Sequence, residues 1–142
     1  MASELTGAVS TSPTGPAGDP FVGRAALEAQ RAAGLRRKLV CLVLDDAKAG
    51  PLHGLETIWR GDDCIGFVKS TAFGHTLGKT IAYGYVDVSK VGGDAADAPE
   101  KITVKWLKAG EWSVGDKGAR HAATFHSKAP FDPTNARVRG EY

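Results

Sequence analysis

The sequence predicts a mainly β fold: a small antiparallel, Greek-key-like barrel of five to seven strands preceded by one helix. Three observations point there. Eighteen Gly and seven Pro among 142 residues favour turns, and so strands over long helices. Beyond residue 38 the apolar residues recur with period two. No helical stretches alternate with these strands, which argues against the βαβ pattern of a parallel sheet. The length suits one domain with a core of its own.

Residues 1–20 contain no Lys, Arg or aromatic group and are built largely of Ser, Thr, Pro, Gly and Ala. Such a segment cannot bury enough apolar area to offset the entropy of ordering, so it is expected to be a disordered lead-in. It has neither the basic start and apolar centre of a signal peptide nor the Arg-bearing amphipathic helix of a mitochondrial presequence. A linking helix is expected over 21–36, because Gly23 to Ala33 is rich in good helix formers and Gly34 supplies a stop with Leu35 beyond it. Arg31, Arg36, Arg37 and Lys38 cluster at its exit. Their plainer role is to face the negative end of the helix dipole; contact with a phosphate or an acidic partner is the alternative.

The barrel domain is expected over 37–142. Leu39 to Leu44 is a continuous apolar run, the pattern of a strand buried on both sides. Thr57 to Arg60 and Cys64 to Lys69 flank Gly61-Asp62-Asp63 and read as a hairpin. Thr80 to Val88 places Ile81, Tyr83 and Tyr85 on one face and Ala82, Gly84, Val86 and Val88 on the other. Val91 to Pro99 is polar and reads as a loop. Lys101 to Leu107 alternates as a strand with Ile102, Val104 and Trp106 inward and Lys101, Thr103 and Lys105 outward. Ala109-Gly110 turns the chain, and a last strand is expected from Arg120 to Ser127.

A net charge of +2, from 18 basic and 16 acidic residues, makes duplex DNA a poor default partner, so no nucleic acid is expected. No apolar run approaches the ~18 residues of a membrane span, and no membrane partner is expected. Cys41 and Cys64 both adjoin apolar runs and read as buried free thiols, which favours a reducing compartment. Gly74-His75-Thr76-Leu77-Gly78-Lys79-Thr80 imitates a phosphate-binding loop. The required first glycine is Phe73, however, and the residues that follow alternate like a strand, so a Gly-rich connection between strands is the better account. His121 and His126 are five apart, pointing to opposite faces of a strand, and neither Cys has a ligand partner at zinc-site spacing, so no metal is expected. Asp45-Asp46 and Asp62-Asp63 read as turn chemistry. No Gly-x-Ser-x-Gly elbow is present, and no catalytic residue is assigned. Trp59, Trp106 and Trp112, with Tyr83 and Tyr85, are expected mostly in the core, with one or two left to line an interface.

Five segments in order carry a family resemblance. Phe21-Val22-Gly23-Arg24-Ala25-Ala26-Leu27 comes first, then Arg37 to Leu44, then Leu55-Glu56-Thr57-Ile58-Trp59-Arg60. Phe73 to Tyr85 and Pro130-Phe131-Asp132-Pro133-Thr134-Asn135 complete the set. Together they resemble the C-terminal domain of the aminomethyltransferase family, which includes the glycine-cleavage T-protein and the folate-dependent dimethylglycine and sarcosine dehydrogenases. Position 25 is Ala where the family often has Glu. The ending Arg137-Val138-Arg139-Gly140-Glu141-Tyr142 looks most like the sarcosine dehydrogenase branch.

The resemblance implies the C-terminal β-barrel of a larger flavoenzyme, in which other regions oxidise an N-methyl group and pass the one-carbon unit to tetrahydrofolate. FAD and tetrahydrofolate would belong to those regions, with no cofactor in this chain and no catalysis by the barrel alone. It also implies that Phe131 and Arg137 reach the edge of a folate pocket, with Arg137 meeting a glutamyl carboxylate. The implied partner is the missing folate-binding and flavin portion, or else a second copy. An uncovered patch of Trp59, Trp112, Phe73 and Phe131, beside Arg36, Arg37 and Lys38, would then be expected. The alternative is a free-standing small β-barrel protein-binding module without enzymatic activity. The expected compartment is the cytoplasm, or the mitochondrial matrix in a eukaryote. Deleting residues 1–20 is expected to change unfolding free energy by less than about 0.5 kcal/mol in urea titrations.

Overall fold

The computed structural model describes residues 22–92 and 99–141. The predicted lead-in over 1–20 and the middle of the Val91–Pro99 loop lie outside the described residues. Helix α1 runs Arg24–Ala33, carries an Arg24–Glu28 ion pair of 2.8 Å, and buries none of its side chains. It ends at Gly34, whose φ of 84° lies in the left-handed region that glycine tolerates and other residues avoid. The linker beyond is tied down where Ile102 N donates to Leu35 O at 2.7 Å.

Six strands follow: β1 (Arg37–Leu44), β2 (Thr57–Arg60), β3 (Asp63–Gly74), β4 (Lys79–Asp87), β5 (Trp112–Asp116) and β6 (Ala119–His126). They close a barrel in the order β1-β4-β3-β2-β5-β6, every neighbouring pair antiparallel. Strands β2, β3 and β4 form a meander, and β5 returns beside β2, which is the Greek-key arrangement. The hairpin at Gly61 and the connection from Gly74 to Lys79 stand as the sequence pattern predicts. In the latter, Leu77 N and Gly78 N both donate to Gly74 O, and a strand follows rather than a helix.

Alternation sorts the side chains. Val40, Leu42 and Leu44 of β1, Ala82 and Val86 of β4, Val68 of β3, Ile58 of β2 and Val114 of β5 fill the bore and are essentially inaccessible. Cys41 and Val43, on the outer face of β1, are also buried, so this strand is covered on both sides as expected. Each fully buried Leu or Ile contributes about 1.5–3 kcal/mol relative to exposure.

One predicted element is wrong. Lys101 to Leu107 is not a strand: Val104–Lys108 forms a short helix, α2. Thr103 Oγ1 accepts from Trp106 N at 3.1 Å and caps it, which is the side-chain chemistry that Ser and Thr offer at a helix start. The faces change accordingly. Ile102 and Leu107 are buried, Val104 is 44% exposed, and Trp106 is only partly buried. The expected exposure of Trp112 is corrected too. It is 5% exposed, and its Nε1 donates to Leu107 O at 2.8 Å. Trp112→Ala is therefore expected to cost about 3–5 kcal/mol and Trp106→Ala clearly less, as read by urea denaturation of the two variants.

Candidate functional site

The bore is filled by side chains, so any binding chemistry lies on the outside of the barrel. Cations stacked on aromatic rings recur there. Arg60 lies over Trp106 at 4.2 Å, Arg120 over Trp59 at 3.7 Å, Arg37 over Tyr85 at 5.9 Å and Lys90 over Phe67 at 5.3 Å. Two of these stacks close the structure. Arg120 also donates to Gly61 O at 3.2 Å, and Trp59 Nε1 donates to Thr57 Oγ1 at 2.8 Å, so Trp59 is covered rather than open. Arg60 Nε is buried without a hydrogen-bond partner, and its guanidinium rests on Trp106.

Phe131 and Arg137 lie together in the tail after β6. The Arg137 guanidinium sits 5.1 Å from the Phe131 ring centroid, and Phe131 is 43% exposed. Asp132 organises this stretch: its carboxylate accepts from Ala136 N at 2.8 Å and Arg137 N at 3.1 Å. Arg139 pairs with Glu141 through two hydrogen bonds and donates a third to Thr134 O. The Arg139–Glu141 pair holds the arginine's pKa up and the glutamate's down. A guanidinium on an aromatic shelf presents its planar fork outward, a geometry suited to a carboxylate. Phe73, at 48% exposure, is open as expected. The expected four-aromatic patch does not form, because Trp112 is buried and Arg120 covers Trp59.

A different surface is open instead. Phe67 and Tyr85 stand opposite each other on β3 and β4, facing outward, and Leu39 lies opposite Tyr85 on β1. Phe67 and Tyr85, with Leu55, Arg37, Lys69, Asp87 and Lys90, line a cleft of about 300 Å³. Tyr83, 40% exposed, continues the aromatic row one pair further along β4. Leu55 is 74% exposed and has φ of 71°, a left-handed conformation that a non-glycine residue adopts at a cost of roughly 1–3 kcal/mol. Its neighbours hold it there. Leu55 N donates to Val68 O at 2.9 Å, Val68 N donates to Glu56 O at 2.8 Å, and the Glu56 carboxylate accepts from the backbone N–H groups of His53 and Gly54. Sequence reasoning singled out neither Leu55 nor Phe67, because a left-handed leucine has no signature of its own.

The remaining candidates are dispersed. The ladders place His126 opposite Cys41 and His121 opposite Val114, on opposite faces of β6. Among the described residues no group of three or more His, Cys, Asp or Glu stands together to hold a metal. Asp46 caps Lys48 N at 2.8 Å, Asp45 accepts from Thr124 Oγ1 at 2.8 Å, and Asp63 accepts from Gly92 N at 2.9 Å. Cys41 and Cys64 are unbridged; Cys41 is buried and Cys64 partly so. Burial pushes the Cys41 thiol up, while Tyr83 beside it pulls the other way, so this thiol is not an activated nucleophile. No described helix is long and apolar enough to cross a membrane.

Residues 37–132 match the family model described as the glycine cleavage T-protein C-terminal barrel domain. The chain is 45% identical over 123 residues to the mitochondrial sarcosine dehydrogenase of Mus musculus, covering 87% of this chain and 12% of that protein. It is 38% identical over 74 residues to the mitochondrial dimethylglycine dehydrogenase of Homo sapiens, covering 51% of this chain and 8% of that one. It is 48% identical over 66 residues to the aminomethyltransferase of Thermosynechococcus vestitus, covering 46% of this chain and 18% of that relative. The chain thus spans a small part of each of these relatives.

At the edge of the open cleft, burial raises the Asp87 carboxyl pKa, but this is outweighed by Ser89's hydroxyl and N–H, with Arg37 and Lys90 adding attraction. The net result holds Asp87 below its ordinary 3.8. A depressed folded pKa stabilises fully above the unfolded value, and that stability is lost as pH falls through the folded one. The melting-temperature gap between wild type and Asp87→Asn should therefore be present at about pH 6 and narrow below about pH 4.

Proposed function

The chain belongs to the glycine cleavage T-protein C-terminal barrel family, and from that premise we propose that it serves as the C-terminal barrel domain of a sarcosine dehydrogenase-like, folate-linked flavoenzyme. The chemistry of that enzyme is oxidative N-demethylation with transfer of the one-carbon unit to tetrahydrofolate. The barrel supports it without supplying a catalytic residue. The observation that carries this reading is a 45% identity spread over 87% of the chain but only 12% of the mouse sarcosine dehydrogenase. That proportion fits a domain rather than a whole enzyme. The named mitochondrial relatives make the matrix the compartment of choice for a eukaryotic source.

The filled bore supports the non-catalytic role. Val40, Leu42, Ile58, Val68 and Val114 leave no chamber for a flavin ring or a pterin, so either group would have to lie outside the barrel. Among the described residues the tail fits part of such a group. Arg137, resting on Phe131, has the donor geometry for a glutamyl carboxylate at the rim of a folate pocket built by the rest of the enzyme. When bound elsewhere in the enzyme, the flavin supplies the oxidation and the folate accepts the one-carbon unit. The second reading, a free-standing protein-binding module, draws on the open cleft around Phe67 and Leu55.

Purified alone, the chain is expected to be colourless and inert toward sarcosine and dimethylglycine. Flavin absorbance, or dye reduction on adding sarcosine, would overturn the assignment. A chimaera in which this chain replaces the matching segment of the mouse sarcosine dehydrogenase is expected to bind flavin and oxidise sarcosine. A chimaera that folds without either property would favour the free-standing module.

A further inference from the structure

We propose that the cleft on the outer face of β1, β4 and β3 is the docking surface of this barrel, and that its occupant is an apolar surface rimmed by carboxylates on the preceding portion of the same enzyme. The proposal rests on the reading of the chain as one domain of a longer protein. Its centre is Leu55, Phe67 and Tyr85, and its rim carries Arg37, Lys69 and Lys90.

Four observations carry it. First, Leu55 is held outward in a left-handed backbone conformation by the Glu56 carboxylate and the pairing with Val68, although it touches solvent over 74% of its surface. A strained, exposed apolar residue with a dedicated support is explained by a contact made outside this chain. Second, the cleft places Phe67, itself 43% exposed, and the ring of Tyr85 beside that leucine, and aromatic groups are favoured anchors at the centre of an interface. Third, the rim has three cations against one carboxylate, Asp87, which Arg37 already faces at 3.7 Å. Among the described residues neither Lys69 nor Lys90 has a salt-bridge partner, so positive charge outweighs negative on the described rim. Fourth, the sarcosine dehydrogenase relative is about eight times as long as the matched segment, which leaves ample chain to supply a domain contact of roughly 600–1,500 Å².

Charge selects among the possible occupants. A second copy docking by two-fold symmetry would bring the same cationic rim against itself, an arrangement that like charges disfavour. An occupant with an apolar centre and acidic edge meets both halves of the surface.

The test is lysine labelling with an amine-reactive acetylating reagent, read by peptide mass spectrometry on the isolated chain and on the chimaera with the mouse sarcosine dehydrogenase. In the isolated chain Lys69, Lys90 and the control Lys117, at the β5–β6 turn, are all expected to react. In the chimaera Lys69 and Lys90 should lose their labelling while Lys117 keeps it. Leu55→Asp and Phe67→Asp should both restore labelling of the two lysines in the chimaera, and Leu55→Asp should leave the melting temperature of the isolated chain nearly unchanged. A flavin-loaded, sarcosine-oxidising chimaera whose Lys69 and Lys90 still react would overturn the assigned face and leave the domain reading intact. A chimaera that folds without flavin or activity would bring down both. Protection of the same lysines in the isolated chain at ~200 μM but not ~10 μM, with a dimer in sedimentation, would make a second copy the occupant and overturn the acidic partner.

Discussion

The narrow bore of a six-stranded barrel is the constraint on which the rest of the structure depends. Where β3 and β4 cross it, there is no room for a Cβ. At Gly84 one would run into the Phe67 carbonyl and the Ile58 side chain, and at Gly66 into the Tyr85 carbonyl. These two glycines let the backbones close in, and Ile58 from β2 occupies the space that a side chain on Gly84 would need. Small barrels of this kind are filled by their own side chains. The interior is a core and nothing else, which pushes recognition to the outer faces and to the tail.

Closing the ends of such a barrel takes large, flat groups. Trp106 and Trp112 meet edge to face at 6.1 Å and 86°, with Phe125 beside Trp112. Helix α2 buries Leu107 and sets Trp106 beside Trp112, and Arg60 stacks on the Trp106 ring from the end of β2. The aromatic surplus that reads in the sequence as possible interface material is therefore divided. Trp112 seals the core, Trp59 is held under Arg120, and the faces left open belong to Phe67, Tyr83, Phe73 and Phe131.

What was legible in the sequence depended on local pattern. Leu39 to Leu44 could be read because five consecutive buried residues look alike whichever neighbours cover them. Gly34, the Gly61 turn and the β3–β4 connection could be read because glycine marks a change of direction. The stretch 101–107 misled because Ile102, Val104 and Trp106 satisfy a period of two over too few residues to exclude a single helical turn. The better clue was Thr103, a capping residue followed by Val, Lys, Trp, Leu and Lys and then by Ala109-Gly110. The open cleft was out of reach for another reason. Leu55, Phe67, Lys69 and Lys90 come from a loop, a strand and a 3-10 turn, and the register of β3 on β4 together with the Leu55–Val68 pairing brings them together. Phe131 and Arg137 stand out in the sequence through the family resemblance alone; their proximity depends on the Asp132 hydrogen bonds that fold the tail.

The barrel is sealed by β1 pairing with β6, where Cys41 meets His126 and Leu44 meets Ala123. These partners lie about as far apart in the sequence as the domain allows, so the seam cannot form until synthesis has passed the last strand. Until then β1 would have β4 on one side and an unpaired edge on the other, an edge rich in Val and Leu that invites pairing with other chains. Early termination anywhere before residue 119 would remove β6 altogether and leave that apolar seam permanently open. Such products would be candidates for aggregation or rapid degradation even with most of the core sequence intact.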